Sequence, residues 1–199
     1  MRLGVLGGTF NPIHLGHLIL AEEACSQLAL DRVLWVLTPA PPHKPNQAIL
    51  GWVDRLQMLM IAVTGNPRFE ISFVDIRRRP PYYACDTIFK LREQYADDQL
   101  FFLMGSDSLI NLPGWYRPQE LVEACDGLGV MMRSEALIDD LRLEEIIPGI
   151  FKKVKFLSAS LIEISSSDIR RRIAQGEPYR YYLHPEVYEY IRRQNYYHP

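Results

Sequence analysis

The sequence alternates short, continuous apolar runs with segments whose apolar residues recur every three or four positions. The apolar runs are Leu3–Leu6, Val33–Leu37, Leu100–Met104 and Leu128–Met132, and Val154–Leu157 predicts a further strand. Runs without polar alternation are typical of strands that are covered on both faces, as in a parallel sheet. The segments with helical spacing are His14–Leu30, Asp54–Val63, Asp86–Tyr95, Gln119–Ala124, Asp168–Ala174 and Pro185–Arg193. Strands and helices that alternate in this way predict a parallel sheet with helices on both faces.

We therefore predict an α/β chain with a doubly wound, Rossmann-like parallel sheet. The 199 residues suit one domain spanning 1–199, with a small C-terminal helical part from about 160 to 199. Phe69–Val74 alternates apolar and polar residues and predicts a further strand. Arg133–Pro148 is charged and weakly patterned, and it suggests no function.

The charge balance gives little support to a nucleic-acid partner. The chain has 22 Lys and Arg against 24 Asp and Glu, a net charge of -2, whereas nucleic-acid binders usually show a basic excess. The basic runs Arg77–Arg79 and Arg170–Arg172 keep RNA binding open as an alternative, although runs this short are usually solvated surface.

Cysteine usage and hydropathy indicate the cytoplasm. Cys25, Cys85 and Cys125 lie far apart without CxxC spacing, which predicts free thiols in a reducing compartment. No apolar run approaches the ~20 residues of a membrane span. Association with further copies of the chain stays open.

The first strand leads into the most informative segment, GGTFNPIHLGH at 7–17. In open α/β sheets the ligand binds beyond the carboxyl ends of the strands. Gly7 and Gly8 allow close backbone approach, and the following helix start offers N–H groups to phosphate. His14 and His17 are three positions apart and so share one helix face. Gly16 between them is expected to leave room for a flat group such as a base.

A zinc site at these histidines is weakly supported, because neither an HExxH motif nor a cysteine cluster accompanies them. Each histidine alone would more often cap or pack the helix start. Two histidines framing a glycine after a strand-Gly-Gly turn favour a functional site.

Two later junctions add candidate contacts. After the second strand, the proline-rich loop Thr38–Pro45 carries His43 and Lys44, and the lysine could place a charge on a phosphate. After the most apolar strand, Asp107 could accept from ribose hydroxyls and Trp115 offers a flat ring. A solvated lysine and a core tryptophan are the alternatives.

The fourth junction is ISSSDIRRRI at 164–173. Serines directly before a helix are first of all N-caps, yet their hydroxyls and the free N–H groups also bind phosphate. Arg170, one turn into the helix, could add a charged fork. Arg171 and Arg172 are expected to be solvated or ion-paired.

Taken together, the four junctions resemble the nucleotidyltransferase superfamily with the HxGH signature, here His14–His17. Within it the chain looks most like the nicotinate-nucleotide adenylyltransferases, because PPHK at 41–44, GSDSLINLPGW at 105–115 and HPEVYEYI at 184–191 follow in order. It departs at Asn11, where many members have Asp, and at 80–88, where GPSYTxDTL is common. Tyr83, Asp86 and Thr87 match there, whereas Pro80, Tyr82 and Ala84 do not.

The resemblance implies a nucleotidyltransferase-type fold and transfer of an adenylyl group from ATP to the 5′-phosphate of nicotinate mononucleotide. It implies no covalent intermediate, and Mg²⁺ would be held mainly by the ATP phosphates. The residues that it assigns to catalysis are His14, His17, Lys44 and Arg170. Those assigned to ATP are Gly7, Gly8, Thr9, Phe10, Gly16, Gly105, Asp107, Arg133, Ile164, Ser165, Ser166 and Ser167. Those assigned to the acceptor are Asn11, His43, Tyr83, Asp86, Thr87 and Trp115.

Other functions stay open from the sequence. The acceptor could be nicotinamide mononucleotide, phosphopantetheine or flavin mononucleotide, and a cytidylyltransferase also carries HxGH. A non-catalytic nucleotide sensor would be expected to lose a histidine or Lys44, and all three are present.

Overall fold

The centre of the structure, a computed structural model that describes residues 1–41, 49–132, 138–159 and 163–198, is a six-stranded sheet. All strand pairs in it are parallel, in the order β3-β2-β1-β4-β5-β6. The strands are β1 (Arg2–Gly8), β2 (Arg32–Leu37), β3 (Phe69–Ser72), β4 (Gln99–Gly105), β5 (Gly127–Met131) and β6 (Val154–Leu157). This is the strand order of a doubly wound Rossmann sheet, so the predicted fold class is confirmed.

Helices connect the strands and complete the chain. They are α1 (Leu15–Gln27), α2 (Trp52–Val63), α3 (Ala84–Gln94), α4 (Ser106–Asn111), α5 (Pro118–Ala124), α6 (Asp140–Ile146), α7 (Ile150–Lys153), α8 (Ser166–Ala174) and α9 (Pro185–Gln194). Short 3₁₀ turns cover Leu112–Gly114 and Arg180–Tyr182. In the part of the chain that is described, no helix is long and apolar enough to cross a membrane.

Apolar side chains cover both faces of the sheet, as the continuous apolar runs predict. Successive residues of β2 show this directly: Trp35 belongs to the buried cluster on one face, and Leu34 and Val36 belong to the cluster on the other. Burial on both faces explains why the strands lack polar alternation. The sheet is thus a rigid support for the loops at its edge.

Three helices were not expected from the sequence, and one helix face was partly wrong. α4 lies within the predicted junction loop after β4, α6 lies within the weakly patterned stretch 133–148, and α7 lies directly before β6. In α2 the helical spacing predicts an apolar face of Leu56, Leu59, Met60 and Val63, but Met60 is 43 % exposed and the omitted Arg55 is 1 % exposed. The physical reason is that the Arg55 side chain has buried carbonyl partners, which the apolar periodicity does not reveal.

The sheet order creates one place that is suited to a ligand. β1 lies between β2 and β4, so the chain continues from β1 toward one edge of the sheet and later returns to place β4 on the other side of β1. A crevice opens at such a switch point, beyond the carboxyl ends of the strands. Gly8 at the end of β1 and Gly105 at the end of β4 border it.

Core packing in β4 sets a stability prediction. Leu103 is 1 % exposed, whereas Leu141 on α6 is 86 % exposed. Leu103→Ala should lower the free energy of unfolding by about 2–5 kcal/mol, since it leaves a cavity, and the matched control Leu141→Ala should change it by less than about 0.5 kcal/mol. Guanidinium unfolding followed by circular dichroism measures both. Equal losses in the two variants would contradict this description of the core.

Candidate active site

β1 ends in two glycines with different surroundings, and the loop follows directly after them. A Cβ atom added to Gly7 would meet nothing within 4 Å, so this position borders open space. A Cβ atom added to Gly8 would lie 2.9 Å from the Phe10 ring. Phe10 itself has a φ of 47° and is 2 % exposed. Its buried ring lies 5.8 Å from the Trp35 ring and 5.1 Å, edge on, from the His17 ring. Phe10, an expected ATP contact, could therefore reach a ligand only through its backbone.

The two histidines form a stacked pair where α1 begins. Their ring centroids are 3.7 Å apart with an interplanar angle of 28°, as the spacing of three predicts. His14 is the N-cap residue and is buried, and His17 is half-buried. The His14 backbone N–H donates to His17 Nδ1 over 3.2 Å. In the neutral ring the proton therefore resides on Nε2, which makes that atom a hydrogen-bond donor.

Gly16 lies in close contact with the histidine pair. A Cβ atom at this position would lie 3.2 Å from Nδ1 of His14 and 3.8 Å from Cβ of Ile164. The glycine thus makes room for the His14 ring and for the segment before α8. Its expected role beside a flat group such as a base stays a prediction.

The serine-rich segment docks onto the loop after β1. Ser165 Oγ accepts from the Asp168 N–H over 3.1 Å, which confirms an N-cap. Ser166 Oγ donates to the Pro12 carbonyl over 2.8 Å. Arg170 donates to the Asn11 carbonyl over 2.7 Å and to Ser167 Oγ over 3.3 Å. The fourth junction therefore meets the first, although Arg170 and Asn11 are 159 positions apart.

The other two arginines of α8 form ion pairs, as expected. Arg172 and Arg171 both pair with Asp168, at 2.7 Å in each case, and Arg171 also pairs with Glu177. Hydrogen bonds from Arg172 and then Arg171 lower the pKa of Asp168. Since these groups neutralise one another, Arg170 is the arginine of this run that lies against the site.

A buried arginine that the sequence analysis did not single out holds two loops together. Arg55 donates over 2.5–3.0 Å to four backbone carbonyls, which belong to Thr9, Thr38, Pro39 and Leu50. These carbonyls follow β1, follow β2 and precede α2. Burial lowers the pKa of Arg55. The helical spacing to the buried Met58 and Leu59 was the available sequence signal.

The β4–α4 junction lies at the same edge of the sheet and carries Asp107, with Trp115 shortly after it. Asp107 is exposed in the first turn of α4, next to the fully buried Ser106. Trp115 follows the 3₁₀ turn and is half-buried, and its ring lies edge-on to Phe102 at 6.1 Å. Trp115 thus combines partial core packing with partial exposure.

The segment before α3 is held by a buried polar network. Arg78 pairs with the 1 %-exposed Asp75 over 2.8 Å and donates to the Pro81 carbonyl over 2.6 Å. Thr87 Oγ1 lies 2.9 Å from the Asp75 carboxylate and 3.0 Å from the Tyr83 carbonyl. Burial raises the pKa of Asp75, although Arg78 opposes this effect. Thr87, expected near the acceptor, is 4 % exposed and engaged in this network.

The same network positions an aromatic pair. Tyr83 stacks on Tyr116 with ring centroids 4.3 Å apart, and Tyr116 was not among the predicted site residues. Asp86 lies half-buried in the first turn of α3. His43, Lys44 and Arg133 lie outside the described residues. Within the described residues, no group of three His, Cys, Asp or Glu side chains could hold a metal ion.

Comparison with known proteins agrees with this geometry. Residues 5–172 match a family model described as cytidylyltransferase-like. A protein of Thermomicrobium roseum named "probable nicotinate-nucleotide adenylyltransferase" is 44 % identical, covering 98 % of this chain and 91 % of its own. A protein of the same name from Synechococcus sp. is 38 % identical and covers 98 % and 94 % of the two chains.

Solved structures show the same fold. The nicotinic acid mononucleotide adenylyltransferase of Plasmodium falciparum, in complex with NaAD, superposes with a TM-score of 0.80 at 18 % identity, over 98 % of this chain and 97 % of that one. A structure from Vibrio parahaemolyticus, described as a nicotinate-nucleotide adenylyltransferase, gives 0.69 at 19 % identity, over 99 % and 96 %. At such identities the likeness concerns the fold alone, whereas the sequence relatives show the family. The chain belongs to the cytidylyltransferase-like family and, within it, to the nicotinate-nucleotide adenylyltransferases.

Proposed function

We propose that the protein transfers the adenylyl group of ATP to the 5′-phosphate of nicotinate mononucleotide, releasing pyrophosphate and forming deamido-NAD. The observation that carries the proposal is the stacked His14–His17 pair at the switch point of the sheet, with Arg170 hydrogen-bonded to the Asn11 carbonyl in the loop that leads into the pair. The names of the full-length relatives support the same reaction.

The chemistry requires positioning and charge neutralisation rather than a nucleophilic side chain. A 5′-phosphate oxygen of the acceptor attacks the α-phosphorus of ATP in line, the bond to the bridging oxygen breaks, and pyrophosphate leaves. The Nε2–H of His17 would donate to a phosphate oxygen, since Nδ1 accepts from the His14 backbone and the proton of the neutral ring is therefore on Nε2. A preorganised donor of this kind stabilises the charge that develops on the transferred group.

ATP would lie along the loop after β1, at the N-terminus of α1. Gly7 borders the open space there, and the exposed Asp107 would accept from the ribose hydroxyls. Ser165, Ser166 and Ser167 add their segment to the phosphate side. Lys44 and Arg133 are proposed to add positive charge beside the phosphates.

The acceptor ring would lie toward the other side of β4. Trp115 would stack on the pyridine, with the Tyr83–Tyr116 pair and Asp86 near it. The α3 N-terminus, which begins directly after Tyr83, would favour an anionic substituent such as the nicotinate carboxylate. Asn11 and His43 complete the proposed acceptor contacts.

Magnesium enters the proposal as part of the ATP substrate. The described residues offer no three-ligand cluster, and Mg²⁺ commonly binds substrate phosphates through few protein ligands. A reducing compartment such as the cytoplasm is supported by Cys25, Cys85 and Cys125, which are buried, free thiols.

The acceptor is tested by following pyrophosphate release with ATP and Mg²⁺. We expect strong release with nicotinate mononucleotide and little with nicotinamide mononucleotide, because the α3 N-terminus favours the negative carboxylate. Comparable release with both would show dual specificity. No release with either would reject the acceptor, and phosphopantetheine and flavin mononucleotide would be assayed next.

Replacing the donor histidine tests the catalytic site. His17→Ala should lower kcat about a hundredfold to a thousandfold, the range seen when one preorganised donor is removed, and it should leave the far-ultraviolet circular dichroism spectrum unchanged. His198→Ala, at an exposed position, is the control and should retain full turnover. Near-normal turnover of His17→Ala would remove the central claim.

Substitutions at the two glycines that end β1 should separate an effect on ligand binding from an effect on stability. Gly7→Ala should raise KM for ATP by at least about tenfold, equal to about 1.4 kcal/mol, because its Cβ enters the open space, and it should leave the melting temperature unchanged. Gly8→Ala should destabilise the fold by about 1–3 kcal/mol, since its Cβ meets the buried Phe10 ring. Steady-state kinetics and thermal unfolding measure both. A normal KM in Gly7→Ala would show that ATP does not approach this position.

A further inference from the structure

We infer that Tyr197 is a positioning residue for the adenylyl transfer. It acts through Asn11 on the loop that carries His14 and on the guanidinium of Arg170. The inference rests on the function proposed above and assigns a role to the segment after α9, which the sequence motifs do not explain.

Tyr197 contacts the loop after β1 through its hydroxyl group. Its hydroxyl donates to Oδ1 of Asn11 over 2.9 Å, across 186 positions of sequence. The Leu50 N–H points at the same oxygen over 3.4 Å. Both hydrogen bonds require an acceptor, so the Asn11 amide is held with its oxygen toward Tyr197 and its nitrogen turned away.

The backbone of the same loop connects Asn11 to α8 and to the start of the histidine helix α1. Its carbonyl accepts from Arg170 over 2.7 Å, and the next carbonyl, of Pro12, accepts from Ser166 over 2.8 Å. His14 follows three positions after Asn11. Thus a displacement of Asn11 would move a partner of Arg170 and the start of the histidine helix together.

The phenol of Tyr197 is partly buried, and two arginines lie near it. Tyr197 has a φ of 66°, in the left-handed region, and its side chain is half-buried against the loop after β1. Burial raises its pKa, although the nearby Arg170 and Arg55 oppose this effect. The hydroxyl therefore keeps its proton near neutral pH and remains a donor to Asn11.

The adjacent tyrosine provides a matched control. Tyr196 donates its hydroxyl to the Asp54 carboxylate on α2 over 2.7 Å. This hydrogen bond is of similar length and also anchors the segment after α9. It ends on α2 rather than on the loop that carries His14, so its loss reports on anchoring.

The test is a double-mutant cycle measured by pyrophosphate release from the full chain, with ATP and nicotinate mononucleotide. Tyr197→Phe should lower kcat by about tenfold, the factor that corresponds to one hydrogen bond at the upper end of the usual range. Tyr196→Phe should change kcat less than twofold, with a similar shift in melting temperature. In the Asn11→Ala background, Tyr197→Phe should have no further effect on kcat, because the effect passes through Asn11.

Three outcomes would overturn the inference. One is normal kcat in Tyr197→Phe, another is an equal kcat loss in Tyr196→Phe, and the third is an undiminished effect of Tyr197→Phe in the Asn11→Ala background. Should Tyr197→Phe not fold, normal turnover by Asn11→Ala alone would also overturn it. An inactive wild-type protein would instead reject the proposed function, so the two failures are distinguishable.

Discussion

The buried guanidinium of Arg55 determines how the two loops at the switch point are arranged. Its carbonyl acceptors lie after β1, after β2 and before α2, so one side chain joins the segments that follow two paired strands to the start of α2. Burying a charge is costly unless its donors are satisfied, and this hydrogen bonding offsets much of that cost. Because all four acceptors are neutral carbonyls, a net positive charge remains behind a loop that is proposed to hold polyphosphate.

The parallel sheet brings the remaining groups to the same edge. β1 and β4 are neighbours in space, although they are separated in sequence by β2 and β3. The glycine ends of both strands consequently open into one crevice. Helix α8 then docks against the loop after β1, through Arg170 and Ser166. The core supplies rigidity, and the proposed site residues lie in the loops and first helical turns beyond the strand ends.

Much of this could be predicted from the sequence, because hydrophobic periodicity and strand-end motifs are local signals. The strands, the doubly wound class, the histidine pair and the N-cap at Ser165 all followed from such signals. Contacts between distant segments left no local trace. The role of Arg55, the reason for Gly16 and the Tyr83–Tyr116 stack depend on tertiary packing, so periodicity could not reveal them.

The hydrogen bond between Tyr197 and Asn11 joins the loop after the first strand to the segment after the final helix. A contact of such sequence separation forms late in folding, since the closure of a long loop is entropically costly. The six strands can pair before this contact exists, whereas the packing of Tyr197 against one apolar cluster accompanies it. Recovery of catalysis during refolding is therefore a stricter criterion of the native state than recovery of secondary structure, because it also requires the C-terminal segment to be seated.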